Sequence, residues 1–324
     1  MNLSVRRNRL SGPLLAVALV SLCALVASGW GYVAHRMIAE EAISILPDPP
    51  KGFFDANLSN IRAFANEPDA ISMIDSSKGP DHFIDLDSYS KPPFDDVPSD
   101  EKEFVAKFGA DALKEGRLPW AIRDEYNALV DAMAGRDYEG VVKHAGLLSH
   151  FVGDATMPLH ATKNYKGQLT NNVIFDRPDD PNRHVHVRFE IGMVNANAAD
   201  LTRRIRPRLG KPHKVDDPAD EGLALAKVSF AYIAPILDAD RELLKPGDEV
   251  TPVYFAGMYA KVGNIAAQQM ALASTELASF WQSAWEKAGR PGLIAARVVL
   301  SKEPLTMDEA KRIRESQKPA EAAK

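Results

Sequence analysis

Residues 138–160 read YEGVVKHAGLLSHFVGDATMPLH. Apolar groups recur at helical spacing through 138–156 and the pattern stops near Pro158, so a helix is expected there. The same periodicity runs outward in both directions. Residues 32–46 (YVAHRMIAEEAISIL) repeat it and end at Pro47. Segments 52–66, 101–115 and 120–134 follow, then 185–206, 218–243 and 252–288 beyond the quoted stretch. Residues 78–100 and 164–182 are rich in turn-forming residues and read as long ordered loops. Val and Ile fall at helical rather than alternating positions, so strand signals are nearly absent. The expectation is an all-α fold: a single helical-bundle domain over 30–315, with long loops crossing one end. Residues 316–324 (SQKPAEAAK) are expected to be a disordered tail.

The composition, 45% hydrophobic and 26% charged, is that of a globular chain with a sizeable core. Its first stretch reads differently. Arg6, Arg7 and Arg9 precede an apolar run from Leu14 to Val26, and Ala27-Ser28-Gly29 supplies small residues. This is the pattern of a signal peptide over 1–29, cut before Trp30, and it predicts a secreted or periplasmic protein with no transmembrane segment after processing. The competing reading is an uncleaved N-terminal anchor. Loss of three arginines takes the formal net charge from −5 to −8. Such a chain lacks a general basic surface, so no stable nucleic-acid complex is expected. The single cysteine, Cys23, lies in the signal segment. Metal ligands must therefore come from His, Asp and Glu.

His150 and Asp154 are four apart and project from one helix face. His160 follows just past the proline. Imidazole and carboxylate are natural zinc ligands where no thiolate is present; the bland alternative is a capped helix with incidental histidines. His186 and Glu190 form a second pair four apart, which an exposed helix face could also explain. Asp69 sits in a turn-like Asn-Glu-Pro-Asp, and His82 opens His-Phe-Ile-Asp; each could be a capping or surface residue. His35 lies five residues after Trp30 and could be an ordinary half-buried histidine.

Taken in order, Trp30, His35, Asp69, His82, His150, Asp154, His160, His186 and Glu190 resemble the zinc-dependent phospholipase C family and its relatives, the single-strand-specific zinc nucleases. The resemblance covers residues 30–190, and its most specific parts are His-Phe-Val-Gly-Asp-Ala-Thr-Met-Pro-Leu-His and a cleavage site that lands on tryptophan. It implies three zinc ions per chain. One would be held by Asp69, His82, His150 and Asp154, a second by His160, His186 and Glu190. A third would take the α-amino nitrogen and carbonyl oxygen of Trp30 with His35 and Asp154, so Asp154 would bridge two metals. Close metals lower the pKa of a shared water and neutralise charge on a phosphodiester. Asp69 would orient or deprotonate the nucleophile, which makes Asp69 and Asp154 the catalytic pair.

The substrate is less legible. Glu190 leans toward the phospholipase branch, which typically has Glu there; the short Trp30-to-His35 spacing resembles the nucleases. The leading expectation is hydrolysis of a phospholipid, the alternative a single-strand nuclease or 3′-nucleotidase, and the lesser one a non-catalytic metal-binding helical protein. Tyr32, Tyr89, Phe94, Tyr165 and Phe175 could stack bases or line a lipid pocket, though packing is the commoner role of such residues. His144 reads as structural and His213 as an exposed loop residue. His184 is the substitute ligand if His186 is misassigned. Asn164, Asn171 and Asn172 read as turn formers.

Overall fold

Capping residues and prolines set the helix starts. The computed structural model describes residues 31–177 and 180–317; the expected signal peptide and Trp30 lie outside the described residues. Helices α1 (Tyr32–Ile45), α2 (Pro50–Phe64) and α3 (Glu67–Ile74) come first. Pro50 and Pro68 sit in first turns, where a missing N–H costs nothing. Next are α4 (Leu86–Tyr89), α5 (Glu101–Phe108), α6 (Leu118–Gly135) and α7 (Tyr138–Ala155). Asp137 starts α7 by accepting from the Gly140 amide at 3.0 Å. Then come α8 (Val185–Val187), a π-helical turn (Arg188–Met193), α9 (Val194–Ala196) and α10 (Ala198–Ile205). The chain finishes with α11 (Pro218–Phe230), α12 (Ile233–Leu243), α13 (Pro252–Lys287) and α14 (Met307–Gln317). No strand occurs among the described residues, where an isolated bridge joins Ile84 to Gly116. The all-α expectation holds.

Several boundaries differ from the sequence reading, each for a local reason. Residues 101–115 break at Gly109, whose φ of +86° ends α5 before a 3₁₀ turn, Ala110–Glu115. Residues 218–243 divide between α11 and α12. Residues 185–206 are interrupted by the π-helical turn. Asp69 belongs to the first turn of α3 rather than to a turn-like loop. Ser316 and Gln317, expected in the tail, belong to α14; the residues after them lie outside the described set.

Helix α7 occupies the middle of the assembly and packs against α1, α2, α6 and α13. Val141, Val142, Ala145, Leu148 and Val152 are fully buried there, at about 1.5–3 kcal/mol for each large apolar side chain. A Cβ on Gly146 would fall 2.4 Å from Phe64 Cβ and 2.7 Å from the Ile61 carbonyl oxygen. Those two atoms belong to α2, whose backbone cannot swing away. Gly146→Ala should gain up to about 1 kcal/mol of helix propensity but force α2 and α7 apart at about 1–3 kcal/mol or more. The net expectation is a lower midpoint of thermal unfolding; an unchanged or raised midpoint would show that the helices can separate freely.

Candidate metal centre

The end of α7 carries His150 and Asp154, both buried. Asp154 lies among four imidazoles. Its Oδ2 is 3.1 Å from His82 Nδ1 and 3.1 Å from His150 Nε2; its Oδ1 is 3.6 Å from His35 Nε2 and 3.5 Å from His160 Nδ1. Asp69 Oδ1 adds contacts of 3.7 Å to His82 and 3.8 Å to His150. His160 Nε2 lies 2.9 Å from His186 Nε2 and 3.4 Å from Glu190 Oε2, which is 2.5 Å from His186. Three potential metal-binding groups result: His35, His150 and Asp154; Asp69, His82 and His150; His160, His186 and Glu190. The eight described residues singled out by sequence thus converge. Trp30, the ninth, lies outside the described residues.

Local structure explains the convergence. His82 ends a 3₁₀ turn, Ser76–His82, and its carbonyl accepts from His160 Nδ1 at 2.7 Å. His150 Nδ1 donates to the Ala65 carbonyl at 2.9 Å. Each of these bonds fixes a ring so that Nε2 faces the carboxylates, which is how metal-binding histidines are commonly oriented. His35 stacks on His150 with centroids 4.1 Å apart. Gly153 permits this, since a Cβ there would meet His35 Nδ1 at 2.9 Å. Glu190 sits in the π-helical turn, yet still meets His186 four residues earlier.

The donor set fits a cation. Both ring nitrogens of His35, Asp154 Oδ1 and Glu190 Oε2 are buried without a hydrogen bond of proper geometry, a costly state unless a ligand fills it. Two ligands about 2.1 Å from a tetrahedral zinc lie roughly 3.4 Å apart, close to several spacings above. Electrostatics agree. Burial would push His150 and His160 down, but Asp154, helped by Asp69 at the first and Glu190 at the second, pulls both up to about 9. Burial raises Asp69 and would raise Asp154, which His150 and His160 instead hold well below the usual carboxylate range. The carboxylates therefore draw protons onto the rings where no other cation offsets them.

A cleft of about 450 Å³ opens over the cluster, lined by Asp69, His82, His160, His186 and Glu190 with Tyr165. Of the five aromatic residues, Tyr165 lines this cleft, Tyr89 packs on Phe104 and Phe108, and Phe94 packs on Phe230. The Tyr32 hydroxyl accepts from the Met307 amide, and Phe175 packs on the core. His184 is extended rather than helical; it stacks on His186, outside the third group, and burial lowers it to about 2. His144 pairs with Glu125 at 2.7 Å. Asn164 and Asn172 bond within and below their loop, and Asn171 adopts φ +57°. Sequence reasoning passed over Asp85, a buried cleft carboxyl raised to about 7 by burial and then by Asp87 and Glu115. It also missed Arg188 and Asp240, an ion pair 52 residues apart in sequence.

No family model matches the sequence. A curated relative, a probable serine protease of Bradyrhizobium tropiciagri, is 30% identical over 201 residues, covering 58% of this chain and 26% of its own length. The chain therefore spans about a quarter of that relative. A solved structure, the alpha toxin from Clostridium absonum, aligns with a TM-score of 0.45 at 16% identity, covering 78% of this chain and 63% of the toxin.

Proposed function

We propose that this chain is an exported zinc-dependent phosphodiesterase that cleaves phospholipids in the manner of a phospholipase C. The observation that carries the reading is the convergence of three potential metal-binding groups around Asp154. Asp69, His82, His150 and Asp154 would hold one zinc, His160, His186 and Glu190 a second, and His35 with Asp154 part of a third. Bound zinc supplies Lewis acidity and charge neutralisation for a phosphodiester. Asp69 is the cluster carboxylate partly open to the cleft, 18% exposed, which places it within reach of an attacking water. It takes a proton from the attacking water as oxygen bonds phosphorus. The bond from phosphorus to the glycerol oxygen breaks, and that oxygen takes a proton from solvent. The products are diacylglycerol and a phosphorylated head group. Cleavage before Trp30 would free an amino group five residues ahead of His35 and complete the third site.

Lipid is favoured by what surrounds the cluster. The other charged side chains lining the cleft are Asp85, Lys114 and Glu115, a rim with no net positive charge to hold a polyanionic strand. A second groove of about 680 Å³ runs from Thr162, two residues past His160, along Phe94, Leu169, Val228, Phe230 and Leu237. Leu169 is 63% exposed, and such an apolar channel suits acyl chains. Serine-protease chemistry, named for the Bradyrhizobium relative, finds no support at the Ser279–His213 contact. Ser279 is fully buried and donates its hydroxyl proton to the Thr275 carbonyl.

The test is a parallel assay of zinc-loaded protein on phosphatidylcholine vesicles and single-stranded DNA. Lipid hydrolysis, lost on chelation and restored by zinc, is expected. Cleavage of DNA alone would transfer the reading to the nuclease branch, and metal binding without either activity would make the protein non-catalytic.

A further inference from the structure

A second arrangement of metal-competent side chains lies outside the cleft. His213 is in the segment between α10 and α11, Glu221 is in the first turn of α11, and Glu276 is on α13. Their ligand atoms gather within 4.8 Å of one another. His213 Nε2 is 3.5 Å from Glu276 Oε2 and 3.9 Å from Glu221 Oε2.

The tautomer of His213 can be worked out from its neighbour. The Ser279 hydroxyl donates to the Thr275 carbonyl at 2.9 Å. Its oxygen accepts from the His213 amide at 3.1 Å and contacts His213 Nδ1 at 3.1 Å. A hydroxyl has one proton and two lone pairs. With its proton on Thr275, it can meet Nδ1 only as an acceptor, so Nδ1 carries hydrogen. In neutral imidazole this leaves Nε2 bare and aimed at two carboxylates. Glu276 is 7% exposed, and its Oε2 has no hydrogen bond. The 3.5 Å spacing exceeds a charge-assisted N–H···O bond of about 2.7–2.9 Å and suits two ligands of one zinc, roughly 3.4 Å apart.

We propose that His213, Glu221 and Glu276 form a separate divalent-metal site that ties the segment before α11 to α13, and that zinc can occupy it. Ser279 orients the His213 ring from behind, and solvent completes the coordination at this 45%-exposed side chain. The site stands on its own geometry and does not depend on the chemistry of the cleft.

The experiment uses full-length protein equilibrated with zinc and passed through a desalting column. Elemental analysis of wild type, His213→Ala and Glu276→Gln should show one zinc fewer per chain in each variant, with phosphodiesterase activity unchanged. Zinc should raise the unfolding midpoint of wild type, and this increment should shrink in both variants. Anomalous diffraction at the zinc edge from wild-type crystals should place a peak between the three side chains, a readout that needs no variant to fold. No peak there, with equal zinc content in all three proteins, overturns the proposal and leaves His213 in a plain side-chain contact with Glu276.

Discussion

Replacing Asp154 by Asn is expected to lower phosphodiester hydrolysis at least about a thousand-fold, near 4 kcal/mol at about 1.36 kcal/mol per tenfold, and to remove more than one zinc per chain. The side chain is 1% exposed, and its two oxygens face different partners: Oδ2 faces His82 and His150, Oδ1 faces His35 and His160. Asn preserves the shape and removes the charge. Three histidine clusters would then share only Asp69 and Glu190 as counter-charges, and the amide nitrogen would face imidazole lone pairs that want a cation. The fold itself should survive, because the apolar packing of α7 is untouched. Circular dichroism, elemental analysis and the lipid assay on one preparation separate these effects. Full zinc content with full activity would remove Asp154 from the centre of the site.

How much of this was legible in the sequence depends on distance along the chain. The pairs His150–Asp154 and His186–Glu190 are visible because helical geometry puts residues four apart on one face. The second pair survives even though its segment passes through a π-helical turn. The helices that bury one apolar face were equally plain, since periodicity reports burial directly. Contacts between distant segments were not. Nothing in the spacing of His82 and His160 announces that one ring bonds the other's carbonyl; the family resemblance placed them together. Short elements were also lost: α3 begins Glu-Pro-Asp, which reads as a turn, although proline and acids in a first turn are equally a helix start. His213 is the exposed loop residue the sequence suggests; its approach to Glu276, 63 residues further on, leaves no trace in the spacing.

Arg188 and Asp240 lead to the second large effect. The Arg188 guanidinium is fully buried; its Nε and Nη2 donate to Asp240 Oδ1 and Oδ2 at 2.9 Å each. Nη1 donates to the Asn182 carbonyl and Nη2 donates a second proton to the Val173 carbonyl, both at 2.9 Å. Asp240 also accepts from Asn172 at 2.7 Å and from the Tyr254 hydroxyl at 2.5 Å. The pair thus pins the loop before α8, and the π-helical turn after it, onto α12 and α13. Asp240→Ala should cost about 3–5 kcal/mol, because it leaves a buried guanidinium uncompensated. The damage should reach chemistry, since His186 and Glu190 flank Arg188: zinc affinity of the His160, His186 and Glu190 group should fall about 10–100-fold, as when groups supporting metal ligands are lost. The double variant Arg188→Met, Asp240→Leu removes both charges together and should be less destabilised than Arg188→Met alone or Asp240→Leu alone. Denaturant unfolding of the four proteins closes the cycle. If the double variant loses the sum of the two single losses, the two side chains act independently and the network does not hold the site.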